Sequence, residues 1–212
     1  MTSLNILNRL MDPNLIFLIP AILIGLTVHE FSHAYVSYRL GDPTPKYQNR
    51  LTLNPIDHID PIGLISLILF RFGWGKPVQI NPRNYKNPRV GEILVSIAGP
   101  ASNLLMVIVF SFILKFTANI AFQYTWYYKL MIKIIQLNAV LCVFNLLPLP
   151  PLDGSKILLN LLPLKNKYTL YQQLQRYSMP IFLLLVFSDI LGTILTPLIN
   201  LVLQLHYFIL ML

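Results

Sequence analysis

The sequence predicts an all-α polytopic membrane protein, with about five transmembrane helices, a re-entrant segment, and a small β-hairpin or sheet after the first helix. Three observations carry this prediction. Hydrophobic residues make up 55% of the 212 and charged residues only 11%, roughly half the charge of an average soluble domain. The apolar residues gather in runs long enough to cross a bilayer. Lysine and arginine gather between those runs, as the positive-inside rule requires. The net charge of +8 therefore argues for membrane topology and against a nucleic-acid partner. A single cysteine, Cys142, excludes an internal disulfide and reads as a packing residue.

The elements follow in order. Residues 1–13 lack a basic n-region, so no cleavable signal peptide is expected. The first span runs from about Asn14 to Tyr38 and stops at Gly41-Asp42-Pro43. Within Lys46 to Ile59, Arg50-Leu51-Thr52-Leu53 has a strand-like pattern before the turn formers Asn54-Pro55. Ile62 to Phe72 is apolar but too short to span, and Trp74 to Asn81 again looks strand-like. Gly91 to Phe116 forms the second span. The aromatic stretch Tyr124, Trp126, Tyr127 and Tyr128 suits a membrane interface and leads into the third span, Leu130 to Leu147. After Pro148, Pro150 and Pro151, a short amphipathic helix starts near Asp153. The tail from Met179 to Leu212 reads as two short helices, with one long tilted helix as the alternative. Residues 1–164 form a membrane core and 165–212 a C-terminal helical region.

Charge fixes the expected sidedness. The segment 39–90 holds Arg39, Lys46, Arg50, Arg71, Lys76, Arg83, Lys86 and Arg89, and 156–176 holds Lys156, Lys165, Lys167 and Arg176. Both segments should be cytoplasmic. That holds only if Ile62–Phe72 dips in and returns, and then Asp153 emerges on the same side as the end of the first span.

The first span contains His29-Glu30-Phe31-Ser32-His33. Histidines four apart share a helical face, so both imidazoles can reach one Zn²⁺, and Glu30 can serve a metal-bound water. Ionisable groups at membrane depth are costly, and this pentad holds three. A catalytic zinc usually takes three protein ligands. Among the few remaining acidic residues Asp153 is the candidate third ligand, because the prolines before it break the helix and Gly154 permits close approach. A helix N-cap is the equally weighted alternative for Asp153. Asn103 reads as a helix-packing residue beside Gly99-Pro100, His58 as a loop anchor or support for a ligand, and His206 as an interface residue.

The pentad, Ala98-Gly99-Pro100-Ala101-Ser102-Asn103, and Phe144-Asn145-Leu146-Leu147-Pro148…Asp153-Gly154 together closely resemble the site-2 protease family of intramembrane zinc metalloproteases. The resemblance runs in order from roughly residue 14 to 164 and takes in LTLNPIDHIDP and WGKPVQINP, features of a compact bacterial and archaeal subgroup without PDZ or CBS domains. It implies one Zn²⁺ per chain held by His29, His33 and Asp153, with Glu30 as catalytic base. It implies that Asn145 contacts the substrate or transition state; interhelical bonding or capping is the alternative for that residue. The implied activity is hydrolysis of peptide bonds in or near transmembrane segments of proteins such as single-pass regulators. The implied place is a bacterial cell membrane, with the active site toward the cytoplasm. Two other classes fit the composition: a catalytically idle adaptor that binds membrane helices, and a metal transporter. An adaptor has no need of Glu30, and a transporter needs more than the one metal station visible here.

Overall fold

A computed structural model describes residues 15–70, 73–162, 167–188 and 190–212. Four of its helices are long and apolar enough to cross a membrane: α1 (Leu15–Arg39), α5 (Pro88–Phe116), α7 (Thr125–Asn145) and α10 (Ile190–Met211). The shorter elements are α2 (Thr44–Tyr47), α3 (Pro55–His58), α4 (Pro61–Phe70), a 3-10 turn at Pro82–Asn84, α6 (Ala118–Gln123) and α8 (Asp153–Leu161). A further long helix, α9 (Lys167–Phe187), is polar in its first half, where Gln172, Gln173, Gln175 and Arg176 interrupt the apolar pattern. The tail thus forms two helices, α9 and α10, although the second runs through Gly192 and Pro197. The break expected at Asp189 lies outside the described residues.

Helices α1, α5 and α7 pack together around Ala21, Val107, Leu114, Met131, Ile134, Ile135 and Ala139. Gly25 lets α1 and α7 approach, since a Cβ there would lie 2.9 Å from Leu141 Cδ1. Large apolar side chains face outward instead, among them Leu105, Val109 and Phe112 on α5 and Leu198, Leu201 and Phe208 on α10. Such an inverted surface suits lipid. Tyr124, Trp126 and Tyr128 are exposed beside it, although Thr125–Lys129 already belongs to α7 rather than to a lead-in.

The excursion between α3 and the second span returns to its starting side. Helix α4 has ten residues, about 15 Å of rise against a hydrocarbon core of about 30 Å. Its entry and exit are stitched together: Ile59 pairs with Gly75 in an antiparallel bridge, and Lys76 N–H donates to His58 O at 2.8 Å. The backbone at Trp74 crowds Gly63 so closely that no side chain would fit there.

No β-hairpin or sheet follows the first helix, which corrects the expectation at Arg50–Leu53 and Trp74–Asn81. That bridge is the sole β-pairing among the described residues. Residues 76–81 are extended, but side chains rather than a partner strand satisfy much of their backbone. Arg50 Nη2 donates to Lys76 O and Pro77 O at 2.8 and 2.9 Å, and Val78 N–H donates to Glu30 Oε2 at 3.1 Å. Pro77 and Pro82 have no N–H to offer a ladder.

Asp42 ties this extended segment to the end of α1. Gly41 turns the chain at φ 105°, and Asp42 is fully buried beyond it. The carboxylate accepts from Thr44 N–H and Oγ1, Ser37 Oγ, Asn81 N–H and Asn84 Nδ2. Because Ser37 spends its proton on Asp42, the Tyr85 hydroxyl donates to Ser37 Oγ at 2.8 Å. Burial pushes the Tyr85 phenol up to about 12, so it stays neutral. For Asp42, burial raises the pKa, but the hydrogen bonds from Thr44, Asn81 and Asn84 outweigh it and hold the carboxyl below its ordinary value. A depressed carboxyl stabilises the fold fully above its unfolded pKa of about 3.9 and loses that contribution as pH falls through the native value. Thermal unfolding in detergent should therefore show an acid-side loss of Tm that Asp42→Asn reduces. Asp42→Ala, which strands buried donors, should cost about 3 kcal/mol at neutral pH.

Candidate metal centre

Helix α1 places His29 and His33 one turn apart, and α5 crosses behind them. Along one stripe of α5, Val95, Gly99 and Asn103 stand at four-residue spacing. His33 Nδ1 donates to Val95 O at 2.7 Å, and His29 Nδ1 donates to Asn103 Oδ1 at 2.6 Å. Pro100 supplies no N–H to the Ser96 carbonyl four residues before it, and the Val95 carbonyl beside that position accepts from His33. Gly99 supplies clearance, since a Cβ there would stand 2.5 Å from both imidazole rings.

With both Nδ1 atoms donating, each neutral imidazole turns a bare Nε2 lone pair inward. The two Nε2 atoms are 3.0 Å apart. Asp153 Oδ2 stands 3.3 Å from that of His29 and 3.2 Å from that of His33. All three residues are buried, and Asp153 Oδ2 accepts no hydrogen bond among the described residues. In that neutral form three electron-pair donors face one another and repel unless a cation sits among them. The spacing fits one: ligands about 2.0–2.1 Å from a tetrahedral Zn²⁺ stand roughly 3.3 Å apart. Asp153 begins α8 without capping it, so of its two sequence readings the geometry favours the ligand. Gly154 makes the approach possible, because a Cβ on it would lie 2.1 Å from Leu146 O.

The model of peptidase family M50 matches residues 17–188. The chain belongs to that family. Over 194 residues it is 40% identical to YwhC of Bacillus subtilis, a candidate zinc metalloprotease by its name, covering 87% of this chain and 86% of the relative. It is 32% identical over 143 residues to Rip2 of Mycolicibacterium smegmatis, similarly named, spanning 66% of this chain and 54% of Rip2. Zinc metalloprotease MJ0392 of Methanocaldococcus jannaschii is 28% identical over 167 residues, 78% of this chain and 40% of that protein. No solved structure matches the chain significantly. The protein is a zinc metalloprotease, and its apolar helices make it a multi-pass membrane protein.

The remaining predicted site residues of this M50 peptidase fall around the same point. Glu30, one residue on from His29, faces the extended segment 76–81 and holds the Val78 N–H. Asn145 ends α7, donates to Leu141 O at 3.0 Å, and lines a cavity with His29, Glu30, His33 and Asp153. The cavity is about 120 Å³, and Pro77, Val78 and Ile80 form its apolar wall. Lys156, three residues after Asp153, reaches the same space.

His58 stands apart from the cluster. It is fully buried, and its Nε2 donates to Thr52 O at 2.7 Å, which makes it a loop anchor. His206 joins α10 to α5 by a 2.9 Å contact with Ser111 Oγ, as an interface residue does. Asn103 packs helices, donating to Gly25 O and Asn138 Oδ1, and beyond that expectation it contacts a metal-site histidine directly. The available signal was its place four residues after Gly99, on the face that meets α1. Two further contacts carried no sequence signal. Arg89 donates to the carbonyls of Asn160 and Leu161, and Asn160 Nδ2 donates to Glu92 at 2.8 Å, which together fasten the far end of α8 to α5.

Proposed function

We propose that this M50 peptidase is an endopeptidase that cuts peptide bonds in or near transmembrane segments of other membrane proteins, single-pass regulators among them. The observation that carries the reading is that two of the three converging ligand atoms project from a membrane-spanning helix. A substrate reaching them must enter from within or beside the bilayer. The site faces the cytoplasm, a placement supported by the Lys and Arg content of 39–90 and 156–176. Residues 1–164 carry the catalytic machinery.

His29, His33 and Asp153 hold the ion. Bound there, zinc supplies Lewis acidity toward water and the scissile carbonyl. Glu30 takes the proton of the attacking water and passes it to the leaving amine. Asn145 keeps a second amide N–H beyond the one given to Leu141, and that group donates to the carbonyl oxygen as negative charge develops on it.

A helical substrate hides its carbonyls in hydrogen bonds and must be unwound. Among the described residues, the backbone N–H of Ile80 has no partner. In an extended chain it lies on the same edge as the Val78 N–H, beside Glu30, and an unwound substrate adds to that edge as a strand. Ile80→Pro, which removes this donor, should lower kcat/KM roughly fivefold or more, for about 1 kcal/mol per lost bond, and leave zinc content unchanged. Unchanged turnover would count against edge pairing.

The functional reading is tested by reconstituting the zinc-loaded protein with a single-pass reporter and mapping the cut by mass spectrometry. Cleavage within or next to the apolar span is the expected result. Cleavage confined to soluble peptides would overturn it.

A further inference from the structure

Two asparagines are fully buried between the membrane-spanning helices, Asn103 on α5 and Asn138 on α7. Amides at this depth are costly unless every donor and acceptor is engaged. Their bonds form a directed chain. Asn138 Nδ2 donates to Ile134 O at 2.8 Å, within its own helix, so its Oδ1 is the atom turned toward α5. That oxygen accepts from Asn103 Nδ2 at 2.8 Å, and Asn103 Nδ2 also donates to Gly25 O on α1 at 3.2 Å. With both N–H groups of Asn103 committed, its Oδ1 must face His29 Nδ1, 2.6 Å away.

We propose that Asn138 and Asn103 are positioning residues for the metal site: they fix the orientation of one amide oxygen, and through it the tautomer of His29. The proposal rests on the reading of His29 as a metal ligand. If Asn103 turned over, its amide N–H would face His29 Nδ1, which could then only accept. The imidazole proton would move to Nε2 and block the lone pair that faces Asp153. A flipped Asn103 amide would also set its Oδ1 against Gly25 O and Asn138 Oδ1, two acceptors, so the bonds to α1 and α7 enforce the same direction as the bond to His29. The chain begins at a helix-backbone carbonyl whose polarity cannot change, so each later link has one permitted sense. His33 gets the same result in one step from Val95 O.

The test measures Zn²⁺ affinity of the purified full chain in detergent by competition with a chromophoric chelator, and Co²⁺ absorption as a report on ligand geometry. His29→Ala serves as the control for the ligand reading: retained wild-type affinity there would overturn that reading, separately from the role of the asparagines. Asn103→Leu should weaken Zn²⁺ binding about 10- to 100-fold, the usual effect of losing a partner behind a metal-bound histidine. Asn103→Asp keeps an acceptor opposite His29 Nδ1 but loses the donors to Gly25 and Asn138. It should recover affinity to within a few-fold of wild type, with a wild-type-like Co²⁺ spectrum, although it loosens the helix contacts as Leu does. Asn138→Leu leaves Gly25 O as the one acceptor still orienting the Asn103 amide and should weaken binding, by less than Asn103→Leu does. Wild-type affinity in Asn103→Leu or in Asn138→Leu, or binding by Asn103→Asp as weak as that of Asn103→Leu, would overturn the proposal. Should a variant fail to fold, ¹⁵N-imidazole spectra of the unsubstituted metal-free chain decide it: a protonated His29 Nδ1 is required, and a His29 carrying its proton on Nε2 alone overturns the proposal.

Discussion

Glu30→Gln should bind one zinc per chain with wild-type affinity and lose cleavage of a transmembrane reporter by about 10³-fold or more, the upper part of the range for removing a positioned general base. Glutamine has nearly the same shape and can still accept the Val78 N–H at Glu30's position. Its amide cannot take a proton from water. Metal content by atomic absorption and turnover on the same preparation separate the two effects. A glutamine variant that cleaved at a tenth of the wild-type rate would move the base to another group, and Lys156 would be the first to examine.

Asp153→Ala should remove the ion altogether under chelator dialysis that leaves wild-type protein loaded, with cleavage falling to background. The carboxylate is one of only three ligand groups in the cluster and the sole anionic one. Without it two neutral imidazoles remain, and two histidines on one helix bind zinc weakly compared with a closed three-ligand set. Helix α8 should survive the change, because Asp153 does not cap it and Arg89 still holds its other end. Circular dichroism should thus be unchanged while metal is lost. Zinc retained in Asp153→Ala would leave the site without its third ligand and would remove the basis of the hydrolytic reading.

The parts of this arrangement that the sequence made legible are those written in local spacing. Histidines four apart share a face of any helix, and apolar runs broken by Gly and Pro mark spans wherever they occur. The convergence of Asp153 followed from counting charges between runs and from the shortness of Ile62–Phe72. At Asn103 the helix packing was legible, but its bond to His29, on another helix 74 residues away, was not. An asparagine in an apolar run looks the same whether it bonds a helix backbone or an imidazole. The strand expectation failed for a related reason. Alternating residues at 74–81 do produce an extended chain, but the pairing partner is set by tertiary context, and here Arg50, Glu30 and Asp42 take the place of a strand. Gly99 shows the reverse case: a pattern recognisable in sequence acquires its physical meaning, clearance, only once the rings stand against it.

The union of Ile59 with Gly75 has one more result. Since the two feet of that excursion are joined, its length is uncoupled from the sidedness of everything downstream. Residues could be added to or taken from the tip of α4 and the later spans would keep their direction, with Asp153 still arriving where the histidines wait. A chain built this way can vary the part dipping into lipid without turning its catalytic half over.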